Sequence, residues 1–172
     1  GCVFGIGAEG LVEYAYDSFG VVINVMEAAE FLNAFFRRFW KVAQWRERQI
    51  QRCMLSGEIK VASGRSVRAE WEPRRHIRKQ QCLNIPVQGI AADCMLLAIR
   101  YYYAQLQRHR VDGGMIATVH DEILAEVAEH HAELARELLE QAMLQAFIDT
   151  FPRAPTVNLV DARIGKNWGE FK

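Results

Sequence analysis

Apolar residues recur at three- and four-residue steps in four stretches of this chain and alternate with polar residues in two others, which predicts helices interspersed with antiparallel hairpins. Leu11 to Phe19 has helical spacing and stops at Gly20, a good helix terminator. Asn24 followed by Glu27 reads as a capping pair, and Leu32, Phe35, Phe36, Phe39, Val42 and Ala43 then mark one face of a long amphipathic helix over about Glu27 to Arg52. The opposite face carries Arg37, Arg38, Lys41, Arg46 and Arg48. Ile59 and Val61, a Ser63-Gly64 turn, then Val67, Ala69 and Trp71 form a hairpin pattern that Pro73 closes. Asn84-Ile85-Pro86 places proline in the first turn of a second long helix, whose buried stripe is Val87, Ala91, Met95, Ala98, Tyr102 and Leu106 and whose end falls near Asp112-Gly113-Gly114. Met115 to Val119 and Ile123 to Val127 form another hairpin, with His120, Asp121 and Glu122 at its turn. A third long helix over Glu129 to Ile148 and a last strand through Val157, Leu159 and Ala162 to Ile164 complete an α+β fold, long amphipathic helices with a small antiparallel sheet.

The 172 residues and 51% hydrophobic content suffice for a sizeable core in one domain or two packed subdomains, and argue against disorder. No uninterrupted apolar run approaches a membrane span and no signal segment opens the chain, so a soluble cytoplasmic protein is expected. Cys2, Cys53, Cys82 and Cys94 lack the short paired spacing of zinc sites or small disulfide frameworks and read as reduced core thiols. Net charge is +0 but unevenly spread: residues 37–79 hold thirteen Lys or Arg against four Glu. A basic middle suits a polyanionic partner, although charge alone fits a solvated helix face equally well. The adjacent His130 and His131 point about 100° apart on a helix and are expected to be solvated. Gly1 to Leu11 reads as though the chain starts inside a structural element, so a fragment is expected.

Four separated patterns occur in order: Phe4-Gly5-Ile6-Gly7-Ala8-Glu9-Gly10-Leu11, Val61-Ala62-Ser63-Gly64-Arg65, Asn84-Ile85-Pro86-Val87-Gln88-Gly89-Ile90-Ala91-Ala92-Asp93, and Val119-His120-Asp121-Glu122. Taken alone, the last is an ordinary acidic turn with a surface histidine. Together with the tail Gly165-Lys166-Asn167-Trp168, they resemble the C-terminal part of family A DNA polymerases, the DNA polymerase I family, over nearly the whole chain. The Asn84 to Asp93 string is the specific part of that likeness.

The resemblance implies that residues 1–78 are part of a fingers subdomain and residues 79–172 the C-terminal part of a palm. It implies template-directed DNA synthesis in replication or repair, with primer-template DNA and a dNTP as partners and no membrane. It makes Asp121 a ligand of catalytic Mg²⁺ in a two-metal site, Glu122 a secondary carboxylate, and His120 a neighbour of the primer terminus. Asn84 and Gln88, four apart on a helix, suit the hydrogen-bond acceptors that every base pair shows in the minor groove; helix capping by Asn84 and a solvated Gln88 is the plainer alternative. Phe4 and Gly5 stand where the family has Tyr-Gly beside the incoming nucleotide, though a core phenylalanine fits as well. Arg65, Arg68, Arg74 and Arg75 are candidate phosphate contacts. The family's arginine four residues before the asparagine is Gln80 here, with Arg78 or Lys79 as replacements.

Two parts of such a site have no counterpart in this sequence: a second metal-binding aspartate from an upstream strand, and a triphosphate-gripping arginine and lysine before Phe4. Asp17 and Asp93 fall in helical contexts. The isolated chain is therefore expected to be inactive and to depend on a missing N-terminal part of the polymerase. A split-polymerase subunit or nucleic-acid binding module, and an unrelated metal-dependent phosphoesterase, are the rival readings.

Overall fold

The computed structural model describes residues 1–70 and 78–171, and backbone contacts divide the chain into two units, Gly1–Gly89 and Ile90–Lys172. In the first unit a 3-10 turn (Cys2–Phe4) precedes α1 (Ala8–Phe19), α2 (Val25–Arg38), α3 (Trp40–Ser56), β1 (Glu58–Lys60) and β2 (Ser66–Arg68). Gly20 ends α1 at φ 66°, its N–H donating to Tyr16 O at 2.8 Å while Val21 N–H donates to Ala15 O at 3.1 Å. Carbonyls that would be orphaned at the helix end are thereby satisfied. Asn24 forms the expected capping box: its Oδ1 accepts from Met26 and Glu27 N–H, both at 2.9 Å, and the Glu27 carboxylate accepts from Asn24 N–H at 2.8 Å.

The helix expected over Glu27 to Arg52 is two helices, broken at Phe39, where φ is −109° and ψ is 53°. No proline or glycine causes the break. Phe35, Phe36, Phe39 and Trp40 crowd six positions with aromatics, which lose side-chain freedom in a helix, and at the break Phe35 packs its ring on Phe39 with centroids 4.8 Å apart. Arg46 also departs from the solvated face assigned to it. Its guanidinium lies 4.3 Å over the Phe36 ring, and its buried Nε has no hydrogen-bond partner among the described residues. Burial lowers its proton affinity below the usual guanidinium range, with the Cys2 thiol acting in the opposite direction.

β1 and β2 pair antiparallel with Ile59 opposite Val67, and Gly64 turns their loop at φ 97°. Ile59, Cys53, Ala69 and Cys82 form the buried core, with Ile50 and Ile85 against it. Trp71 and Pro73 lie outside the described residues. Burial pushes the Cys82 thiol up to about 12, helped by the neighbouring Cys53, whose own thiol burial also raises. A raised folded-state value favours the neutral thiol, so this contribution to stability is complete below about pH 8.5 and is lost as pH climbs toward 12. Alkylation at pH 8 is accordingly expected to label only the half-buried Cys2 and Cys94 in the folded chain, and all four after denaturation, as counted by mass spectrometry.

The next helix, α4 (Lys79–Arg108), starts well before Asn84 and contains Pro86 in its interior rather than its first turn. Cys82 and Leu83, both at 0% exposure, hold the preceding turn in the core and offset the lost N–H bond, and Arg78 O accepts from Gln81 and Cys82 N–H. Contrary to the sequence expectation, α4 is long and apolar enough, by length and composition alone, to cross a membrane. In the second unit, however, its Ala98, Tyr102 and Leu106 are buried against Ile123, Leu138, Ala142 and Ala146, as a core helix requires.

That unit continues with β3 (Gly113–Val119), β4 (Glu122–Val127), a 3-10 turn (Glu129–His131) and α5 (Ala132–Thr150). β3 and β4 are antiparallel, and their register slips by one residue between Met115 and Ala117. Tyr101 of α4 donates to Asp149 of α5 at 2.7 Å, a bond that raises the phenol's proton affinity. Arg136 pairs with Glu140 as expected and with Glu133. His131 is not solvated as expected: its Nδ1 accepts the Asp112 N–H at 3.0 Å and so ties the start of α5 to the start of β3. The expected last strand is absent among the described residues. A strand needs a ladder partner, and the 151–167 segment has none, leaving Val157 83% and Ile164 46% exposed. Helices with two two-stranded antiparallel sheets make the fold α+β.

Candidate functional site

Val119 pairs with Glu122, which leaves His120 and Asp121 as a two-residue turn closing β3 and β4. Of those two, only His120 has a left-handed φ, 54°, at the position where tight hairpin turns prefer glycine. A side chain there costs about 1–2 kcal/mol, and strain of this kind persists where surrounding structure over-determines it. His120→Gly is therefore expected to raise Tm by roughly 1–4 °C, a gain reduced by glycine's greater chain entropy. Unchanged or lower stability in a thermal melt would count against strain at the tip.

His120, Asp121 and Glu122 are all exposed, whereas Ile123, the next residue, is buried. Sequence alternation thus anchors the hairpin and leaves its acidic end open. Among the described residues neither carboxylate has an ion-pair partner. Mg²⁺ takes one or two carboxylates from a protein and keeps waters and substrate phosphates in its remaining positions. Two exposed carboxylates on a tight turn fit that demand in kind. No group of three or more His, Cys, Asp or Glu side chains among the described residues could enclose an ion. Asp17 and Asp93 lie within α1 and α4. A groove of about 500 Å³ in this unit is lined by residues that include Tyr101, Arg108, Gln141 and Gln145 but none of the tip residues.

In the first unit, Asn84 and Gln88 are both exposed and share a face of α4. Asn84 does not cap the helix, since α4 begins at Lys79. Phe4 ends the 3-10 turn half-buried, and Gly5 follows at φ 95°. A Cβ at Gly5 would lie 3.5 Å from Leu83 Cδ1 and 3.6 Å from Gln80 Cγ, so the turn packs beside the start of α4. Arg78 pairs with Glu70 at 3.0 Å, an exposed bridge of little energetic weight. Arg68 is exposed on β2. Arg65 donates from Nη2 to Gly89 O at 3.1 Å, a bond that sequence reasoning missed because nothing in residue spacing links positions 65 and 89. Arg74 and Arg75 lie outside the described residues.

A sequence model of DNA polymerase family A matches residues 1–170. The chain belongs to DNA polymerase family A. It is 32% identical over 170 residues to DNA polymerase I of Aquifex aeolicus, covering 98% of this chain and 28% of that protein. It is 28% identical over 177 residues to DNA polymerase I of Caldicellulosiruptor bescii, covering all of this chain and 20% of that one. Thermostable DNA polymerase I of Thermus thermophilus is 29% identical over 153 residues, with 86% and 18% covered. This family A chain thus spans 18% to 28% of the length of these relatives. Its fold is similar to part of the POL domain of Pol1 from M. smegmatis, solved in complex with DNA primer-template and dNTP. The TM-score is 0.73 at 23% identity, over 84% of this chain and 25% of that one.

Proposed function

We propose that this chain is the C-terminal fingers and palm portion of a DNA polymerase that adds dNTP units to a primer 3′ hydroxyl on a DNA template. The observation that carries this reading is the exposed His120-Asp121 turn, which closes a two-stranded ladder in a chain that matches the family almost end to end. The M. smegmatis relative was solved with primer-template DNA and dNTP, which supports the same partners for this chain.

Asp121 would hold Mg²⁺, with Glu122 as a nearby secondary carboxylate, and an upstream aspartate of the full protein would complete the shell. When bound, such ions make the primer hydroxyl a better nucleophile and steady the charge on the triphosphate. The chain's own residues position the substrates. His120, fixed by its turn, stands beside the primer terminus. Asn84 and Gln88 present amides that bond acceptors common to every base pair, so pair shape is sensed without sequence preference. Phe4 offers an aromatic face for base stacking, worth about 1–3 kcal/mol, and Gly5 keeps the backbone beside it close to α4. Arg68 meets backbone phosphate, as would Arg74 and Arg75.

Because the 172 residues supply only part of the carboxylate set, they are inactive in isolation. The test is primer extension with Mg²⁺ by the full protein and by residues 1–172. Synthesis by the full protein alone is the expected result. Extension by the isolated chain, abolished by Asp121→Ala, would overturn the dependence on an upstream part; no synthesis by either would overturn the polymerase reading itself.

A further inference from the structure

Gly89 lies inside α4, where glycine weakens a helix and its left-handed freedom goes unused. Gly57 and Gly64 present the opposite case: both have positive φ, and a Cβ on either would meet nothing within 4 Å among the described residues. At Gly89 the requirement is space. A Cβ there would lie 2.8 Å from Val61 Cγ2, 3.3 Å from Val61 Cγ1 and 3.4 Å from Arg65 Nη2. Val61 is 3% exposed and has no room to retreat. The loop joining β1 to β2 therefore touches the helix backbone itself, one residue beyond Gln88.

Arg65 closes this contact from the other side. Its Nη2 donates to the Gly89 carbonyl at 3.1 Å, using the second lone pair that a helical carbonyl retains. Its own carbonyl accepts the Val61 N–H at 2.8 Å, and Val61 O accepts the Gly64 N–H at 3.0 Å, so the loop is braced internally as well as against α4. That bond commits one guanidinium N–H to the Gly89 carbonyl and ties the exposed Arg65 head group to α4. We infer that Arg65 and Val61 clamp the hairpin onto Gly89 and thereby fix the direction in which Gln88 and Asn84 present their amides, which makes Arg65 a positioning residue for base-pair checking rather than a phosphate contact.

This inference rests on the proposed role of Asn84 and Gln88, and its test separates the two. In the full protein, Arg65→Ala, Gly89→Ala and Val61→Ala/Gly89→Ala are compared for the ratio of matched to mismatched primer extension and for the salt dependence of duplex binding. The clamp predicts that Arg65→Ala and Gly89→Ala each lower the ratio about tenfold, that the Val61→Ala/Gly89→Ala double variant regains part of it, and that the salt slope changes by well under one unit throughout. A slope reduced by about one in Arg65→Ala, with discrimination intact in Gly89→Ala, would instead identify a phosphate contact and overturn the inference. Should the unaltered protein bind no duplex, the functional reading fails and the clamp is judged by amide exchange at Val61 and Gly64. Faster exchange in both single variants upholds it, and unchanged exchange overturns it.

Discussion

Asp121→Asn in the full protein is expected to slow primer extension at least about a thousandfold while duplex affinity stays within a few-fold. The substitution conserves size and leaves the turn backbone in place, because the ladder that holds it runs through Val119 and Glu122 and not through the Asp121 side chain. The negative charge is removed and one carboxylate oxygen becomes an NH₂ donor. A thousandfold loss corresponds to about 4 kcal/mol of transition-state stabilisation, within the range a metal-ion site supplies. Glu122→Gln, one residue along, should cost far less if Asp121 is the principal ligand. Single-turnover rates read beside thermal melts separate chemistry from folding, and a loss below tenfold at unchanged Tm would remove Asp121 from the proposed site.

The largest expected effect on stability lies at the other end of the same hairpin. Gly113 has φ 132°, and a Cβ there would sit 2.3 Å from Glu126 O and 2.5 Å from Val127 Cα. Both are backbone atoms of the paired strand, so no rotamer change can relieve the overlap. Gly113→Ala must break the first rung of the ladder or force the chain into a conformation that L residues rarely adopt, at a cost of roughly 3 kcal/mol and a Tm fall of about 6–12 °C. Gly114 provides the control, since its φ is not positive and a Cβ would meet nothing within 4 Å among the described residues. Gly114→Ala should be neutral or stabilise by up to about 1 kcal/mol through the unfolded chain. Equal melting of the two variants would show that the overlap at Gly113 is not what holds the hairpin.

Features that depend on neighbours in sequence were legible before any coordinates. The capping box at Asn24 and Glu27, the stop at Gly20 and both hairpins follow from local chemistry and period-two alternation. Features that depend on tertiary contacts were not. Pro86 suggested a helix start, but burial of Cys82 and Leu83 extends the helix past it. Apolar spacing ran through Phe39 without interruption, yet the backbone leaves helical geometry there, at φ −109° and ψ 53°. Val157 to Ile164 has strand composition and no strand to pair with among the described residues. At the site, the exposed acidic turn was readable from alternation alone, whereas the Arg65 bond to Gly89 was hidden, because a basic residue on a loop looks the same whether it faces solvent or a carbonyl.

The register slip beside Ile116 has a consequence for the tip. An odd number of residues separates the ladder's outer ends at Gly113 and Val127, and a regular ladder would have to close over an odd loop centred on His120. Absorbing the surplus residue in the body of β3 lets the hairpin close on two residues while Met115 and Ala125 still face the core. The stiffness with which the chain offers its acid is thus decided by parity, at a position remote from the acid itself. Inserting a single residue anywhere between Ala117 and the turn would trade a tight corner for a slack one without altering any side chain at the tip.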